Sequence, residues 1–466
     1  MTTSGIASNN SKDIEAVKRQ LHSAFDGMIH RLQEARDAID DPALFPAPAT
    51  ERNLAEGYRY LLGFMLGNIE RALDDPMYPR FKRAIQPMNR STIDNSDAVY
   101  LCAEIDGNYS YVIKGRAANS RHWRGEPAVA GLRAPQYVIF ELGSGYAGDS
   151  GSLMELIPGT RIGTDSLDCH SLQVEPDGSF EILVAPQRPE NHEGNFMLSK
   201  RTSHDKEHVG QFLVCRELFH DWENEDLLDL EILRVGCEKE ALKPLTPDAA
   251  VTMMKKAGEL TNNHMRFWNQ FYTVLLETYG KTEMGLSGEG EKSFMPTNDM
   301  NAPNAMGIAT GGGQSTNIYA GGVFKLEDEE ALIIESSVPV PPSFLGFHLS
   351  NLWGESLDFE SYQSSLNASQ MEVGEDGIYR WVVSHRDPDL QNWLDTTGLD
   401  HGFLTVRYTY GVAPPKEDWP TLNVRKVQFD DIGKTLNSPY RKVERAERQE
   451  NTLVRHRHVQ RRYRQY

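Results

Sequence analysis

Apolar residues recur at steps of three and four from Ile14 through Val17, Leu21, Phe25, Met28, Leu32 and Ala35 to Ile39, which places them on one helix face. Asp41-Pro42 breaks this helix, and Pro46 and Pro48 keep the next stretch from resuming it. Thr50 can cap a second helix with an apolar face at Leu54, Tyr58, Leu61, Met65, Ile69 and Leu73. From Tyr100 the pattern changes to short strands. Tyr100–Ile105, the turn Asp106-Gly107-Asn108 and Tyr109–Lys114 read as a hairpin. Further strands are expected at Tyr137–Phe140, Phe180–Val184, Phe212–Glu217 and Leu230–Val235. A third helix opens at Thr246-Pro247-Asp248 and carries Val251, Met254, Ala257, Leu260, His264, Trp268, Phe271 and Leu275 on one face. Gly280 closes it, and residues 281–315, rich in Gly, Asn and Ser, read as a long loop.

The strand pattern then repeats. Ser166-Leu167-Asp168, Val174, Asp177-Gly178, Phe180, Val184 and Pro189 return as Ser365-Leu366-Asn367, Val373, Asp376-Gly377, Tyr379, Val383 and Pro388, at one offset of 199 positions. A two-residue shortening brings Asn195-Phe196 onto Asn392-Trp393. Tyr319–Leu326 answers Tyr100–Gly107, Phe344–Phe347 answers Tyr137–Phe140, and Gly402–Arg407 answers Gln211–Arg216. The expected architecture is mainly β with added helices: two tandem antiparallel β-sandwich or jelly-roll-like domains from an internal duplication. The divisions are a helical segment over 1–90, a first β-domain over 91–240, a linker helix and loop over 241–315, a second β-domain over 316–430 and a basic helix over 431–466.

Composition narrows the function classes. A net charge of -19 argues against nucleic acid as partner. No apolar run is long enough to span a membrane, and the N-terminus has no signal-peptide core. The four cysteines lack CxxC spacing, so a cytoplasmic protein with reduced thiols is expected. The tail from Arg441 has nine Lys or Arg against three Glu and is expected to pack on an acidic surface of its own or a neighbouring subunit, a route to a homo-oligomer.

Between Asn317 and Val427 stand Phe347-His348-Leu349 with Trp353, Ser364–Asn367, Asp376-Gly377, Asp387-Pro388 with Asn392–Asp395, Gly402–Arg407 and Trp419-Pro420. On these motifs the segment resembles the bacterial family known as domain of unknown function 1214. The resemblance implies paired β-sandwich domains with helical additions, and brings no reaction and no catalytic set.

Candidate chemistry comes from comparing the copies. Asp-Gly, Asn195/Asn392 and Arg216/Arg407 recur, which points to fold: positive-φ turns, loop-holding amides and partly buried arginines needing a partner. Other positions differ: Glu141 answers to His348, Pro186 to His385, Arg188 to Asp387, Leu198 to Asp395 and Gly210 to His401. His348 or His385 could act as acid or base, with Asp387, Asp395 and Glu355 as orienting carboxylates. Trp353, Asn351, Asn392, Trp393 and His401 are the substrate-binding candidates. Solvated or turn-capping roles compete with these.

No cofactor or metal is expected: HExxH is absent, and Thr310–Ser315 lacks the Lys of a phosphate loop. Gly143–Gly148 matches GxGxxG but sits in β surroundings, and there is no Gly-x-Ser-x-Gly elbow. Two expectations follow. One is binding, with or without turnover, of an apolar aromatic or steroid-like molecule in the second domain. The other is a non-catalytic binding or assembly scaffold.

Overall fold

The computed structural model describes residues 4–41, 50–127, 130–277, 295–305, 314–436 and 441–464. Two helices come first, α1 (Ser4–Asp37) and α2 (Glu51–Leu73). Thr50 caps α2, its hydroxyl accepting from Asn53 N at 3.1 Å. The long helix α3 (Pro247–Glu277) packs against both. Gly280, Pro46, Pro48, Thr310–Gly313 and most of the stretch expected as a loop lie outside the described residues.

Two sheets form the first half. One runs β1 (Lys82–Ile85), β2 (Ala98–Glu104), β10 (Phe212–Leu218), β4 (Tyr137–Gly143), β5 (Gly163–Asp168). The other runs β11 (Asp229–Arg234), β3 (Tyr111–Arg116), β6 (Ser179–Ala185), β7 (Asn195–Leu198). The second half has β12 (Asn317–Lys325), β18 (His401–Thr409), β14 (Phe344–Ser350), β15 (Ser365–Asn367), and β19 (Thr421–Gln428), β13 (Glu330–Ser337), β16 (Ile378–Ser384), β17 (Trp393–Asp395). The order β2-β10-β4-β5 is that of β12-β18-β14-β15, and β11-β3-β6-β7 is that of β19-β13-β16-β17. A small hairpin, β8 (Lys200–Ser203) with β9 (Lys206–Val209), is added to the first half. The class is α+β, dominated by sheet.

Each half closes one core between its two sheets. Ile113, Phe140, Phe180 and Leu213 meet in the first, and Ile334, Phe347, Trp381 and Leu404 in the second. Sheet pairing corrects two expectations. Tyr100–Lys114 is not a hairpin: the turn at Asp106–Asn108 carries the chain from one sheet to the other, where β3 pairs with β6 and β11. The halves are not wholly antiparallel either, since β6–β7 and β16–β17 pair in parallel. The Asp-Gly turns do hold positive φ, with Gly178 at 86° and Gly377 at 76°.

Helix α2 also turns differently from its apolar pattern. Of the expected face Leu61 is buried and Met65 half-buried, but Leu54, Tyr58, Ile69 and Leu73 are exposed together with Leu62 and Leu66, while Gly57, Tyr60, Gly63 and Asn68 take the rest of the buried side. Small residues decide this. A Cβ on Gly63 would lie 3.1 Å from Asn89 Cα, so glycine lets the segment before β2 approach the helix axis. The basic tail forms α4 (Ile432–Leu436) and α5 (Arg445–Arg462) and lies on its own chain. Arg455 donates to Ser365 O, Arg461 to Trp222 O at 2.9 Å, and Arg462 to Ser96 O at 2.8 Å, so these arginines are used within the subunit. Among the described residues no helix is long and apolar enough to cross a membrane.

Candidate functional site

A cavity of about 350 Å³ opens between the halves, under α2 and α3. Its floor is the outer faces of the two strand pairs β2–β10 and β12–β18. Because side chains alternate along a strand, Leu213 and Cys215 face the first core while Phe212, Val214 and Arg216 face the cavity. Likewise Leu404 and Val406 face the second core while Thr405 and Arg407 face the cavity. The register makes the two floors equivalent. Arg216 lies across from Tyr100 and Val214 from Cys102; Arg407 lies across from Tyr319 and Thr405 from Gly321. All eight residues line the cavity. Each guanidinium sits near the ring of its cross-strand tyrosine, at 6.0 Å for Arg216 and 5.9 Å for Arg407.

The helices supply the roof. Phe64 and Asn68 come from α2, and His264, Trp268 and Phe271 from α3. Arg71 of α2 lies 3.7 Å over the Tyr146 ring, which stacks on Phe212 with centroids 3.8 Å apart. Arg71 also donates to both Asp149 oxygens, at 2.8 and 3.0 Å, and to Glu104 at 3.0 Å. Burial alone would raise the Asp149 carboxyl, but hydrogen bonds from His264 and Arg71 outweigh it and hold the group well below the usual carboxylate range.

The His264 ring is fully engaged: Nε2 is 3.0 Å from Asp149 Oδ1, and Nδ1 is 3.1 Å from Asn68 Nδ2. With Asn68 donating to Nδ1, the proton sits on Nε2 and the ring offers the cavity no free lone pair. Burial pushes the Cys102 thiol up to about 12, so it is not a nucleophile near neutral pH. The Gly143–Gly148 match serves the same side of the cavity. Turns follow β4 and no helix opens there, and Gly148, at φ 98°, lets the loop meet α3, where a Cβ would lie 2.8 Å from His264 Cδ2.

None of the residues expected to form a site lines this cavity. His348, on β14, is wholly buried with Nδ1 3.8 Å from Asp97 Oδ2. Trp353, Asn351 and Glu355 dock α2. Trp353 Nε1 donates to Asn53 O at 2.9 Å, Glu355 pairs with Arg59 at 2.7 Å, and Asn351 donates to Glu355 at 2.8 Å. His385 is held by Thr396 Oγ1 at 2.6 Å and Leu326 O at 3.1 Å. Asp387 pairs with Arg448 at 2.9 Å, and Arg448 also lies over Trp393. Burial raises the Asp395 carboxyl to about 6, and it accepts from Thr397 N at 2.7 Å. His401 opens β18 opposite Lys325.

Asn392 accepts from Glu372 N at 2.8 Å and donates to Glu372 O and Arg380 O; Asn195 does the same with Gln173 and Glu181 O. Asn392 borders only a cavity of about 10 Å³. The expected residues therefore do not share one pocket: Asn351, Trp353, Glu355, His385, Asp387, Asn392 and Asp395 spend polar atoms on neighbouring backbone, side chains and ion pairs, while the ring nitrogens of His348 are buried without a hydrogen-bond partner among the described residues. Of the features singled out from sequence, Arg216 and Arg407 do reach the cavity, though their recurrence had pointed to fold. Among the described residues no group of three or more His, Cys, Asp or Glu stands together to hold a metal.

No protein-family model and no curated protein matches the chain. Among solved structures, a Vibrio parahaemolyticus protein matches with a TM-score of 0.42 and 11% identity over 85% of this chain and all of that one. The chain is also similar to the crystal structure of an uncharacterised protein from Burkholderia cenocepacia, with a TM-score of 0.71 and 23% identity over 89% of this chain and 99% of that one, and the likeness is one of fold.

Proposed function

We propose that this protein binds a small molecule with an apolar, aromatic or steroid-like body in the cavity between its halves. One observation carries the reading. A space of about 350 Å³, within the usual size of ligand sites, is walled by aromatic rings and floored by two equivalent Tyr–Arg pairs. The shared strand orders, Asp-Gly turns and asparagine plugs support descent of the halves from one duplicated β-sandwich, so that the cavity formed where two copies came to face each other. The full engagement of His264 makes binding, without turnover, the favoured form of the activity. The test is a thermal-shift screen of aromatic, terpenoid and steroid-like compounds, followed by titration of hits by calorimetry. Hits should lose affinity in Val214→Phe, which fills the floor. If no compound raises the melting temperature, or Val214→Phe binds hits as well as the parent, the reading fails.

A second reading, an assembly role, is supported by the exposed apolar stripe of α2 from Leu54 to Leu73. Light scattering of the parent and of Leu62→Glu with Leu66→Glu tests it. A parent monomer at high concentration excludes it.

A further inference from the structure

The two floors of the cavity are alike in backbone and unlike in charge. On the first, Arg216 is paired with Glu141 of β4, the residue directly across from Val214. Glu141 is fixed further by accepting from Ser315 N at 2.9 Å. On the second, the residue across from Thr405 is His348 of β14. The exchange of Glu141 for His348 takes the carboxylate away. Burial, with the charge of Arg407 adding to it, lowers the His348 pKa well below its ordinary value, so the imidazole stays neutral.

Arg407 consequently has no ion-pair partner within 4 Å among the described residues. Its Nη2 donates to Ile93 O, and its Nη1 is buried without a partner in a side chain only 6% exposed. The Thr405 hydroxyl, two residues away on the same face, is also buried and unpartnered. The neighbouring acids are committed elsewhere in whole or in part. Asp94 shares the cavity and tempers its potential, but its oxygens accept from Ser356 N at 2.9 Å and Ser356 Oγ at 2.7 Å. Asp97 has only Oδ1 committed, accepting from Trp222 Nε1 and Asn367 Nδ2; its Oδ2 faces the His348 ring at 3.8 Å, and Asp97 makes no ion pair with Arg407 within 4 Å. The remaining lining cations are matched: Arg71 by Asp149 and Glu104, Lys82 by Asp74. A buried donor without a partner is a standing cost that a ligand oxygen would relieve, and most so at a guanidinium.

Resting on the binding reading above, we infer that the ligand is a monocarboxylic acid. Its carboxylate is taken by Arg407 Nη1 and the Thr405 hydroxyl, and its apolar body lies toward Tyr319, Phe271 and the neutralised Arg216 floor. One unmatched guanidinium suits one negative charge. The matched floor opposite offers nothing to a second.

The experiment compares three acids, 2-naphthoate, 4-phenylbenzoate and a cholanoate, with their primary amides by calorimetric titration of the full chain. The parent should bind at least one acid roughly tenfold or more tighter than its amide. In Arg407→Met that preference should vanish while the amide keeps its affinity. Thr405→Val, nearly isosteric, should weaken the acid several-fold without moving the amide, and it serves if Arg407→Met fails to fold. Equal binding of acid and amide by the parent overturns the inference and leaves the cavity a binding site. So does an acid preference that survives both variants. Binding of neither form sinks the underlying reading along with it.

Discussion

His348 Nδ1 and Asp97 Oδ2 stand 3.8 Å apart, one from each half of the molecule, and neither side chain touches solvent. At that distance the contact is electrostatic and not a hydrogen bond. Burial pushes the Asp97 carboxyl up and the imidazole well down, so each leans toward its neutral form. The ring packs over Gly346, where a Cβ would lie 2.9 Å from it. His348 is thus part of the seam between the halves.

His348→Ala should lower stability by about 2–4 kcal/mol in urea unfolding, from the void it leaves and the partner it strands. The deficit should shrink below pH ~6.5. A histidine with a depressed folded pKa is protonated more readily when unfolded, so the parent loses stability there and the variant is spared that part. An unchanged unfolding midpoint would show that His348 does not help hold the seam.

Glu217 on β10 is unexposed; one oxygen accepts from Leu228 N at 3.1 Å and the other has no partner. Burial raises its pKa to about 8. Such an acid holds its proton more tightly folded than unfolded. It therefore opposes folding increasingly from its ordinary value of 4.5 up to about 8, and not below that window. Glu217→Gln keeps an acceptor for Leu228 and removes the charge. The variant should match the parent near pH 4 and gain on it by roughly 1 kcal/mol per pH unit toward pH 8. A difference that stays flat from pH 5 to 9 would show that the carboxyl ionises freely in the fold.

What the chain's pattern reveals is what depends on near neighbours. The Thr50 cap, the Gly178 and Gly377 turns and the segments of most strands are set within a few residues, and all are present. The plugs at Asn195 and Asn392 reach about twenty residues back, so their recurrence was visible while their bonds were not. The cavity depends on neither scale. Tyr100 and Arg407 share it because two sheets and two helices converge, and no periodicity carries that. Recurrence marked Arg216 and Arg407 as fold residues needing a partner, and Arg216 does pair with Glu141; that both also face the cavity is not written in the repeat. Along α2, an apolar stripe and a row of small residues competed for the buried face, and close approach through Gly57 and Gly63 won.

Arg462 is fully buried near the rings of Phe219, Trp222, Phe359 and Tyr463, with centroids 5.0–5.6 Å from its guanidinium. One hydrogen bond, to Ser96 O at 2.8 Å, ties α5 to the start of the first sheet. Burial lowers its pKa, and among the described residues no carboxylate stands within 4 Å of it. Its value therefore lies in volume and ring contact as much as in charge. Arg462→Ala should cost about 3 kcal/mol, and Arg462→Met, which refills the space, less than half of that. Equal losses in urea unfolding would mean that the charge outweighs the packing.

Two helical glycines give opposite expectations for one substitution. Gly27 on α1 has nothing within 4 Å of where a Cβ would stand, so Gly27→Ala should add up to about 1 kcal/mol through helix propensity alone. Gly57 on α2 faces Trp353, whose Cζ2 would lie 2.6 Å from the new methyl, with Ile39 Cγ2 at 3.0 Å. The indole cannot swing away cheaply, because its Nε1 is bonded to Asn53 O and its ring lies in the core with Tyr60. Overpacking should outweigh the propensity gain, leaving Gly57→Ala less stable by about 1–3 kcal/mol. Urea midpoints of the two variants, measured side by side, should move in opposite directions. If both rise, α2 is not held against Trp353 as closely as its glycine requires.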